Sequence, residues 1–212
     1  MERISCSRED SNQVSKRTED IVKEYRERRI EGKFVDLVPF SADDIDHVVE
    51  IRNREKNRYF LNQTSCITTE GQTKWYESYL ERFDDIYWCV YNKSNQFIGT
   101  IRVYAIDEEN DICDQGSLMI DENYASEAPY AVEVELLTLD FIFDVLRIGN
   151  VIKEDRADNK VMNNMTKRLG FKFIEDTKVG EVDYKYYLLS PDDYKVKREV
   201  FVQLVECWDL NR

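Results

Sequence analysis

The sequence predicts an α+β fold in which a mixed, mostly antiparallel central sheet carries helices on both faces. Two observations support this prediction. Residues 86–106 contain two strand-like segments joined by a turn, as in an antiparallel hairpin. Residues 131–147 then form a strongly apolar helix that leads into another strand, as in a crossover connection. The predicted order is β-α-α-β-β-β-α-β-α-β-β, followed by a last helix.

The amino-terminal residues 1–33 are almost wholly polar. Their thin apolar seam consists of Ile21, Val22 and Tyr25. This pattern predicts a charged helix near 12–30 that docks loosely or lies outside the core. We therefore expect a charged helical extension over 1–33 and the domain proper, with its C-terminal helix, over 34–212.

Two helices are predicted after a first strand at residues 34–38. Ser41 is expected to cap the first, because a serine hydroxyl accepts a hydrogen bond from a free N–H at a helix start. This helix runs to about Arg54. Thr69 and Gln72 have the spacing of a capping box, which predicts the start of the second helix.

The remaining elements follow from composition and turn signals. Strands are predicted where β-branched and aromatic residues concentrate, and the helix at 131–147 must be buried because it is apolar around most of its circumference. Gly170 suits a helix C-terminus, where a left-handed residue is favoured. The predicted segments are strands 86–91, 97–106, 112–120, 149–154, 171–176 and 182–189, and helices 131–147, 159–168 and one starting at 190.

Composition excludes several classes of function. The five cysteines are scattered without a CxxC pair and His47 is the single histidine, so neither a zinc site nor a disulfide framework is expected. No apolar run approaches the roughly 20 residues of a membrane span, and the N-terminus has no signal-peptide core. We therefore expect a cytoplasmic protein with reduced thiols, no metal and no membrane association.

The formal charge of −13 argues against a nucleic-acid partner, because such binding depends on clustered Lys and Arg. Residues 107–127 contain eight Asp or Glu and no Lys or Arg. This tract would attract a cationic substrate, or it is an ordinary solvated loop. The sequence leaves both interpretations open.

Three stretches resemble the GNAT (GCN5-related N-acetyltransferase) superfamily, over residues 34–190. Residues 97–101 are similar to its "xxIGxI" strand. Residues 116–121 and the buried helix after them form the second stretch. Residues 159–171 look like its "N-x-x-S/A…K-L-G-F" signature. The opening strand and first two helices look closest to branches that modify ribosomal proteins or nucleotide-linked amino sugars.

The resemblance implies an acetyl-CoA-dependent N-acetyltransferase acting on a small amine, with nucleotide-linked amino sugars ahead of peptide N-termini or antibiotics. Acetyl-CoA would be the cosubstrate, and a homodimer is a candidate assembly. One alternative is a degenerate GNAT fold without catalysis, serving as a binding or regulatory protein. A third is an assembly module whose helix at 12–30 recruits a partner.

The resemblance also implies where coenzyme A would bind. Members of the family hold its pyrophosphate on backbone N–H groups at the start of the central helix, beneath a loop reading R/Q-x-x-G-x-G/A. Here both glycines are absent, Pro129 has no N–H and Glu127 adds a negative charge. The implied cofactor-binding residues are Leu118, Met119 and Ile120 on the strand, Ser126, Glu127, Ala128, Tyr130 and Ala131 in the loop and helix, and Asn159.

For Asn159, a simple helix cap is the alternative to a place beside the pantetheine arm. Asp114 matches the position where many relatives carry a Glu base, and a solvated strand-edge carboxylate is the alternative there. The usual thiolate-protonating Tyr would align with Thr166, so another tyrosine or solvent is expected to act. His47 is expected to be a packing or surface histidine.

The expected substrate contacts are Arg52, Asn53, Arg58 and Tyr59, which follow the first helix. In the resembled family this region covers the acceptor pocket, and arginines there suit a phosphate-bearing substrate. An ordinary solvated helix end is the alternative. Trp75 is expected to be a core residue more than a stacking platform.

Overall fold

A computed structural model of the chain describes residues 14–208. Its strands are β1 (Ile30–Glu31), β2 (Val35–Pro39), β3 (Ile86–Asn92), β4 (Phe97–Asp107), β5 (Ile112–Ile120), β6 (Asn150–Arg156), β7 (Lys172–Val179) and β8 (Val182–Leu189). Its α-helices are α1 (Lys16–Tyr25), α2 (Ile45–Asn53), α3 (Glu55–Phe60), α4 (Thr69–Glu81), α5 (Tyr130–Asp140), α6 (Lys160–Arg168) and α7 (Pro191–Glu206). A 3₁₀ turn, Ala42–Asp44, precedes α2, and a π-helical turn, Phe141–Leu146, continues α5.

The strands form one eight-stranded sheet in the order β1-β2-β3-β4-β5-β6-β8-β7. Among the described strands β5 and β6 form the parallel pair, and every other neighbouring pair is antiparallel. The predicted α+β class is therefore confirmed. Gly170 ends the turn after α6 with φ +104°, as its position predicts.

Alternate residues of β3 separate the two faces of the sheet. Trp88 and Val90 belong to the large core formed with α1, α5 and α7. Tyr87 and Cys89 belong to a smaller cluster that includes residues of α2 and α4. The acceptor face, as we name the α2–α4 side, is thus distinct from the face covered by α5.

Helix α1 packs more tightly than its sequence predicts. Thr18 and Val22 are fully buried, and the ring of Tyr25 contacts Phe141 with centroids 4.6 Å apart. The Glu108 carboxylate accepts hydrogen bonds from the backbone N–H (2.7 Å) and hydroxyl (2.9 Å) of Ser15, which caps the helix. The expectation of a loosely docked helix is wrong, because the three-residue seam is enough to bury one face. Residues 12–13 lie outside the described chain, and the boundary at 33/34 stays a prediction.

The structure corrects the predicted cap of α4 and adds two short elements. Thr68, not Thr69, caps α4, because its hydroxyl accepts from Gly71 N at 3.0 Å. The Thr69 hydroxyl instead donates to Asp46 at 2.9 Å. Helix α3 and strand β1 were not predicted, since α3 buries none of its residues and so carries no apolar periodicity.

Strands β5 and β6 pair over three residues and then separate. Ile112–Asp114 align with Asn150–Ile152, after which β5 pairs with β4 alone and β6 with β8 alone. The register of β4 on β5 also shifts next to Ser117, whose φ is +54°. Thr100, fully buried on β4, donates its hydroxyl to the Ser117 carbonyl at 2.8 Å and so fixes this bulge.

A close approach between β4 and β5 explains the glycine of the "xxIGxI" stretch. A Cβ at Gly99 would lie 2.0 Å from the Met119 carbonyl oxygen, which belongs to the neighbouring backbone. Neither strand can yield without disturbing the pairing beside the bulge.

We predict that Gly99→Ala destabilises the protein by about 1–3 kcal/mol, the usual cost of overpacking. Gly180→Asn is the control, because Gly180 has φ +62° with nothing within 4 Å of its added Cβ, and Asn tolerates that conformation. Urea unfolding should separate the two variants. Equal midpoints for Gly99→Ala and the wild type would contradict the close approach.

Candidate active site

The separation of β5 from β6 creates a gap edged by backbone. Along Gln115–Ile120, the β6 side of β5 has no strand partner within residues 14–208, so the N–H and C=O groups on that side are available to a ligand. Leu118 and Ile120 are half-buried here and Met119 is 4% exposed. The three predicted strand residues therefore lie at the gap.

The loop between β5 and α5 is folded through its own hydrogen bonds. Tyr124 N donates to Asp121 O at 3.0 Å, Glu127 N to Tyr124 O at 2.9 Å, and Tyr130 N to Ala128 O at 2.8 Å. Ser126 and Glu127 are exposed at its apex. Backbone hydrogen bonds therefore hold this loop, which lacks the two glycines of the family's loop.

The start of α5 offers backbone donors. In an α-helix the first N–H groups have no intrahelical partner, which at this helix concerns Ala131 and its neighbour Val132. Ala128 packs into the core at 7% exposure, and the Tyr130 hydroxyl donates to Glu127 at 3.3 Å. The side chains of Ala128 and Tyr130 are thus buried, and the backbone donors that remain at this turn are those of Ala131 and Val132.

The acidic tract is largely occupied by the fold. Asp107 and Asp111 accept hydrogen bonds from Asn110 and from Gly149 N. Asp121 forms an ion pair with Arg54 at 2.6 Å, and Arg54 lowers the pKa of Asp121. The tract therefore has structural duties beyond those of a solvated loop.

Asn159 is the N-cap of α6, where its side-chain oxygen accepts from Met162 N at 3.2 Å. The helix-cap alternative is thus observed, and the place beside pantetheine stays a prediction.

Thr166 is fully buried and donates its hydroxyl to Asp155 at 2.6 Å. Burial raises the pKa of Asp155, and Lys153 opposes that rise.

Asp114 lies on the acceptor face where the β5–β6 pairing ends. It is paired in register with Tyr104 on β4 and Ile152 on β6. A Cβ at Gly116 would lie 3.1 Å from the Tyr104 hydroxyl, and Asp114 shares that face by strand alternation. The candidate base is therefore half-buried beside the bulge.

Two of the clefts on the acceptor face are lined by predicted substrate residues. The first, about 650 Å³, lies between α3 and the end of β5 and is lined by Arg54, Glu55, Lys56, Asn57, Tyr59, Phe60, Ile120 and Glu122. The second, about 440 Å³, lies between the loop before α4 and the sheet and is lined by Arg52, Cys66, Ile67, Thr68, Gly71, Gln72, Trp75, Tyr87 and Arg102. We call them the α3 cleft and the α4 cleft.

The predicted substrate residues are divided between these clefts. Arg52 lines the α4 cleft and Tyr59 the α3 cleft. Asn53 holds the loop before α4, because its amide bonds both the N–H and the C=O of Ile67 at 2.8 Å. Arg58 contacts Cys66 Sγ at 3.4 Å and the Thr64 carbonyl at 3.5 Å.

Tyr59 links α3 to the segment between β6 and α6. Its hydroxyl donates to Asp158 at 2.5 Å, and Arg156 lies 4.0 Å from its ring centroid. Arg156 also binds Asp158 through two nitrogens, at 3.0 and 3.1 Å. This link joins the two sides of the gap on the acceptor face.

Sequence reasoning missed three residues that shape this face: Tyr87, Arg102 and Tyr104. Arg102 carried a usable signal, since it is a charged residue between Ile101 and Val103 in a predicted strand. His47 is exposed and stacks on Phe97, with ring centroids 5.1 Å apart. Trp75 is half-buried, packing against the smaller cluster while also lining the α4 cleft.

Residues 14–208 contain neither a membrane-spanning helix nor a cluster of metal ligands. No helix in this range has the length and apolar character needed to cross a membrane. No group of three or more His, Cys, Asp or Glu side chains in this range is placed to hold a metal ion.

Comparison with known proteins places this geometry in context. Residues 35–172 match the family model described as "Acetyltransferase (GNAT) domain". No curated protein sequence matches the chain.

Among solved structures, a GCN5-related N-acetyltransferase from Brucella melitensis is 20% identical with TM-score 0.69, over 82% of this chain and 83% of that one. Apo FdhC, described as a nucleotide-linked sugar GNAT, is 20% identical with TM-score 0.70, over 84% and 98%. Spermidine N-acetyltransferase from Vibrio cholerae, in complex with CoA and spermine, is 12% identical with TM-score 0.71, over 77% and 99%. At these identities the structures show a shared fold.

We predict that the link between α3 and β6 persists in acid. Hydrogen bonds from Arg156 and Tyr59 lower the pKa of Asp158 to about 2. Because this pKa lies below the unfolded value of about 3.9, the stabilisation is present above that value and is lost as pH falls through about 2. A carbon-13 titration of the Asp158 carboxyl should show it mostly ionised at pH 3.

Arg156→Gln should raise this midpoint more than Tyr59→Phe does, because Arg156 contributes the larger effect. An Asp158 midpoint near 3.9 in the wild type, about the unperturbed value, would contradict the link.

Proposed function

The chain belongs to the GNAT acetyltransferase family, and on that premise we propose that it is an acetyl-CoA-dependent N-acetyltransferase acting on a small-molecule amine. The observation that carries the proposal is the gap between β5 and β6 beside the start of α5, within the matched region. A nucleotide-linked amino sugar is the first candidate acceptor, supported by the likeness to FdhC and by arginines on the acceptor face. The cytoplasmic location and the homodimer stay predictions.

The residues at the gap suit coenzyme A by the chemistry of their donors. On the side that faces β6, the backbone of β5 at Leu118, Met119 and Ile120 has no strand partner among the described residues, and this edge suits the amides of a pantetheine arm. The first turn of α5 provides N–H groups at the positive end of a helix dipole for the pyrophosphate. Exposed Ser126, beside the buried methyl of Ala128, leaves room for a close approach. Asn159, the N-cap of α6, which follows β6, is proposed to contact the arm from the other side of the gap.

The bound cosubstrate supplies an acetyl thioester, from which the amine nitrogen takes the acetyl group as the carbon–sulfur bond breaks. In the proposed mechanism the β5 bulge, fixed by Thr100, directs backbone N–H groups at the carbonyl oxygen and stabilises its developing charge. Asp114 accepts the amine proton, directly or through water. Thr166 is committed to Asp155, so the proton for the leaving thiolate comes from solvent or from a tyrosine.

The second candidate function is a binding or regulatory role without catalysis. It is favoured by the loop before α5, where Glu127 places a carboxylate beside the proposed phosphate site. The two functions differ in one measurement, release of free thiol from acetyl-CoA on addition of amines. Thiol release establishes the enzyme, and its absence across phosphorylated and unphosphorylated amino sugars and polyamines favours the second candidate.

We predict that Asp114→Asn lowers kcat about 10²- to 10⁴-fold, the range expected for removal of a general base. Binding of acetyl-CoA should change little, because the side chain lies on the acceptor face. Asp183→Asn, which alters an exposed carboxylate (62% exposed) on β8, is the control. An Asp114→Asn enzyme with full kcat would show that Asp114 is a solvated strand carboxylate.

We predict that Glu127→Gln strengthens binding of coenzyme A by about five-fold at low salt, because about 1 kcal/mol of repulsion at 4 Å is removed. The gain should shrink as salt screens the charges. Glu181→Gln, in the exposed turn between β7 and β8, should leave the affinity unchanged. Calorimetric titration measures all three proteins, and equal affinities would place the phosphates away from Glu127.

A further inference from the structure

The α4 cleft contains an arginine whose charge the fold does not neutralise. Arg52 forms no ion pair with any carboxylate in residues 14–208. Arg102, on the floor of the same cleft, is different: its Nε donates to Asp85 at 2.8 Å and its Nη2 also binds Asp85. The cleft therefore has one compensated and one uncompensated positive charge.

A buried hydroxyl in the same cleft is poorly satisfied. Tyr87 is 2% exposed, and its hydroxyl lies beside Arg52 and Thr100 without a well-formed hydrogen bond to any described residue. Burial raises the pKa of Tyr87, and the nearby charge of Arg52 opposes that rise. An unmade hydrogen bond of this kind is costly, so a polar ligand that accepts from Tyr87 would recover it.

An aromatic wall completes the cleft. The Trp75 ring meets Tyr87 edge-on, with centroids 5.7 Å apart, and Arg102 lies 5.1 Å from the Trp75 centroid. Arg102 is paired in register with Gly116, one residue before the bulge at Ser117. The cleft is therefore one strand away from the proposed site of acetyl transfer.

We propose that the α4 cleft binds an anionic group, a phosphate or carboxylate, carried by the acceptor amine. Arg52 supplies the charge, the Tyr87 hydroxyl donates a hydrogen bond, and Trp75 packs against the body of the molecule. This assignment rests on the proposed function, since it makes the cleft the acceptor site. It selects amines with a negative charge and disfavours simple polycations, because neither Arg52 nor Tyr87 would attract a cation.

Two tryptophans allow the cleft to be tested separately from the cofactor site. Trp75 lines the α4 cleft, whereas the Trp208 indole donates to the Glu127 carbonyl at 3.4 Å, beside the proposed phosphate loop. In nitrogen-15 NMR spectra each indole gives its own resonance, assigned by replacing each tryptophan with Phe. Trp88, fully buried in the main core, reports whether a variant remains folded.

The first experiment titrates the full chain with inorganic phosphate and, separately, with acetate. We expect a saturable shift of the Trp75 resonance with at least one anion, and stronger binding of the anion that the natural acceptor carries. Arg52→Gln should weaken the response at least ten-fold, and Tyr87→Phe should weaken it less. Arg28→Gln is the matched control, because Arg28 is exposed and pairs with Glu24 at 2.7 Å beside α1, on the other face of the sheet.

No Trp75 shift with either anion, or an equal shift in Arg52→Gln with Trp88 unchanged, would overturn the anion site. An acetyl-CoA titration followed at Trp208 tests the proposed function independently.

The second experiment compares thiol release with an amino sugar and with its phosphate ester. The wild type should prefer the phosphorylated amine at least ten-fold in kcat/KM, and Arg52→Gln should abolish the preference. Turnover of both amines without preference would overturn the anion site while leaving the acetyltransferase intact.

Discussion

Backbone pairing between β5 and β6 stops after three residue pairs, and the site depends on where it stops. Two features separate the strands. The bulge at Ser117, held by the Thr100 hydroxyl, increases the local twist of β5, and β6 continues its pairing with β8 on its other side. The unpaired backbone that results must be satisfied by water or by a ligand. The gap thus results from strand pairing and from the Thr100 hydroxyl that holds the bulge.

The two faces of the sheet then divide the proposed chemistry. Helix α5, which packs on the main core, brings its N-terminal N–H groups to one end of the gap. On the opposite face Asp114, Arg102 and Tyr87 surround the place where an amine would approach. Acidic residues that might have attracted a cation are bound within the fold, while Arg52 retains its charge. The α4 cleft therefore keeps a positive charge although the net charge of the chain is −13.

Long periodic elements and the fold class could be predicted from the sequence, because patterns such as the apolar run at 131–147 repeat over several turns. Short elements could not, since α3 buries nothing and leaves no pattern. The tight docking of α1 could not be predicted, because it depends on tertiary contacts such as that between Tyr25 and Phe141. Asn53 and Arg58 were predicted as substrate contacts from their residue types; their bonds to Ile67 and Cys66 could not be predicted from sequence, and their contact with a substrate stays a prediction. Tyr87 could be recognised as a candidate site residue only from the structure, which places its hydroxyl beside Arg52.

Hydrogen exchange measured with and without acetyl-CoA tests the central claim most directly. If the gap receives the pantetheine arm and α5 the pyrophosphate, bound acetyl-CoA should slow exchange of amides in residues 115–120 and in the first turn of α5. The edge strand β7 should not change, because it lies at the far end of the sheet. Protection of both segments would establish the gap as the cofactor site. Unchanged exchange at millimolar acetyl-CoA, or protection confined to other elements, would contradict it.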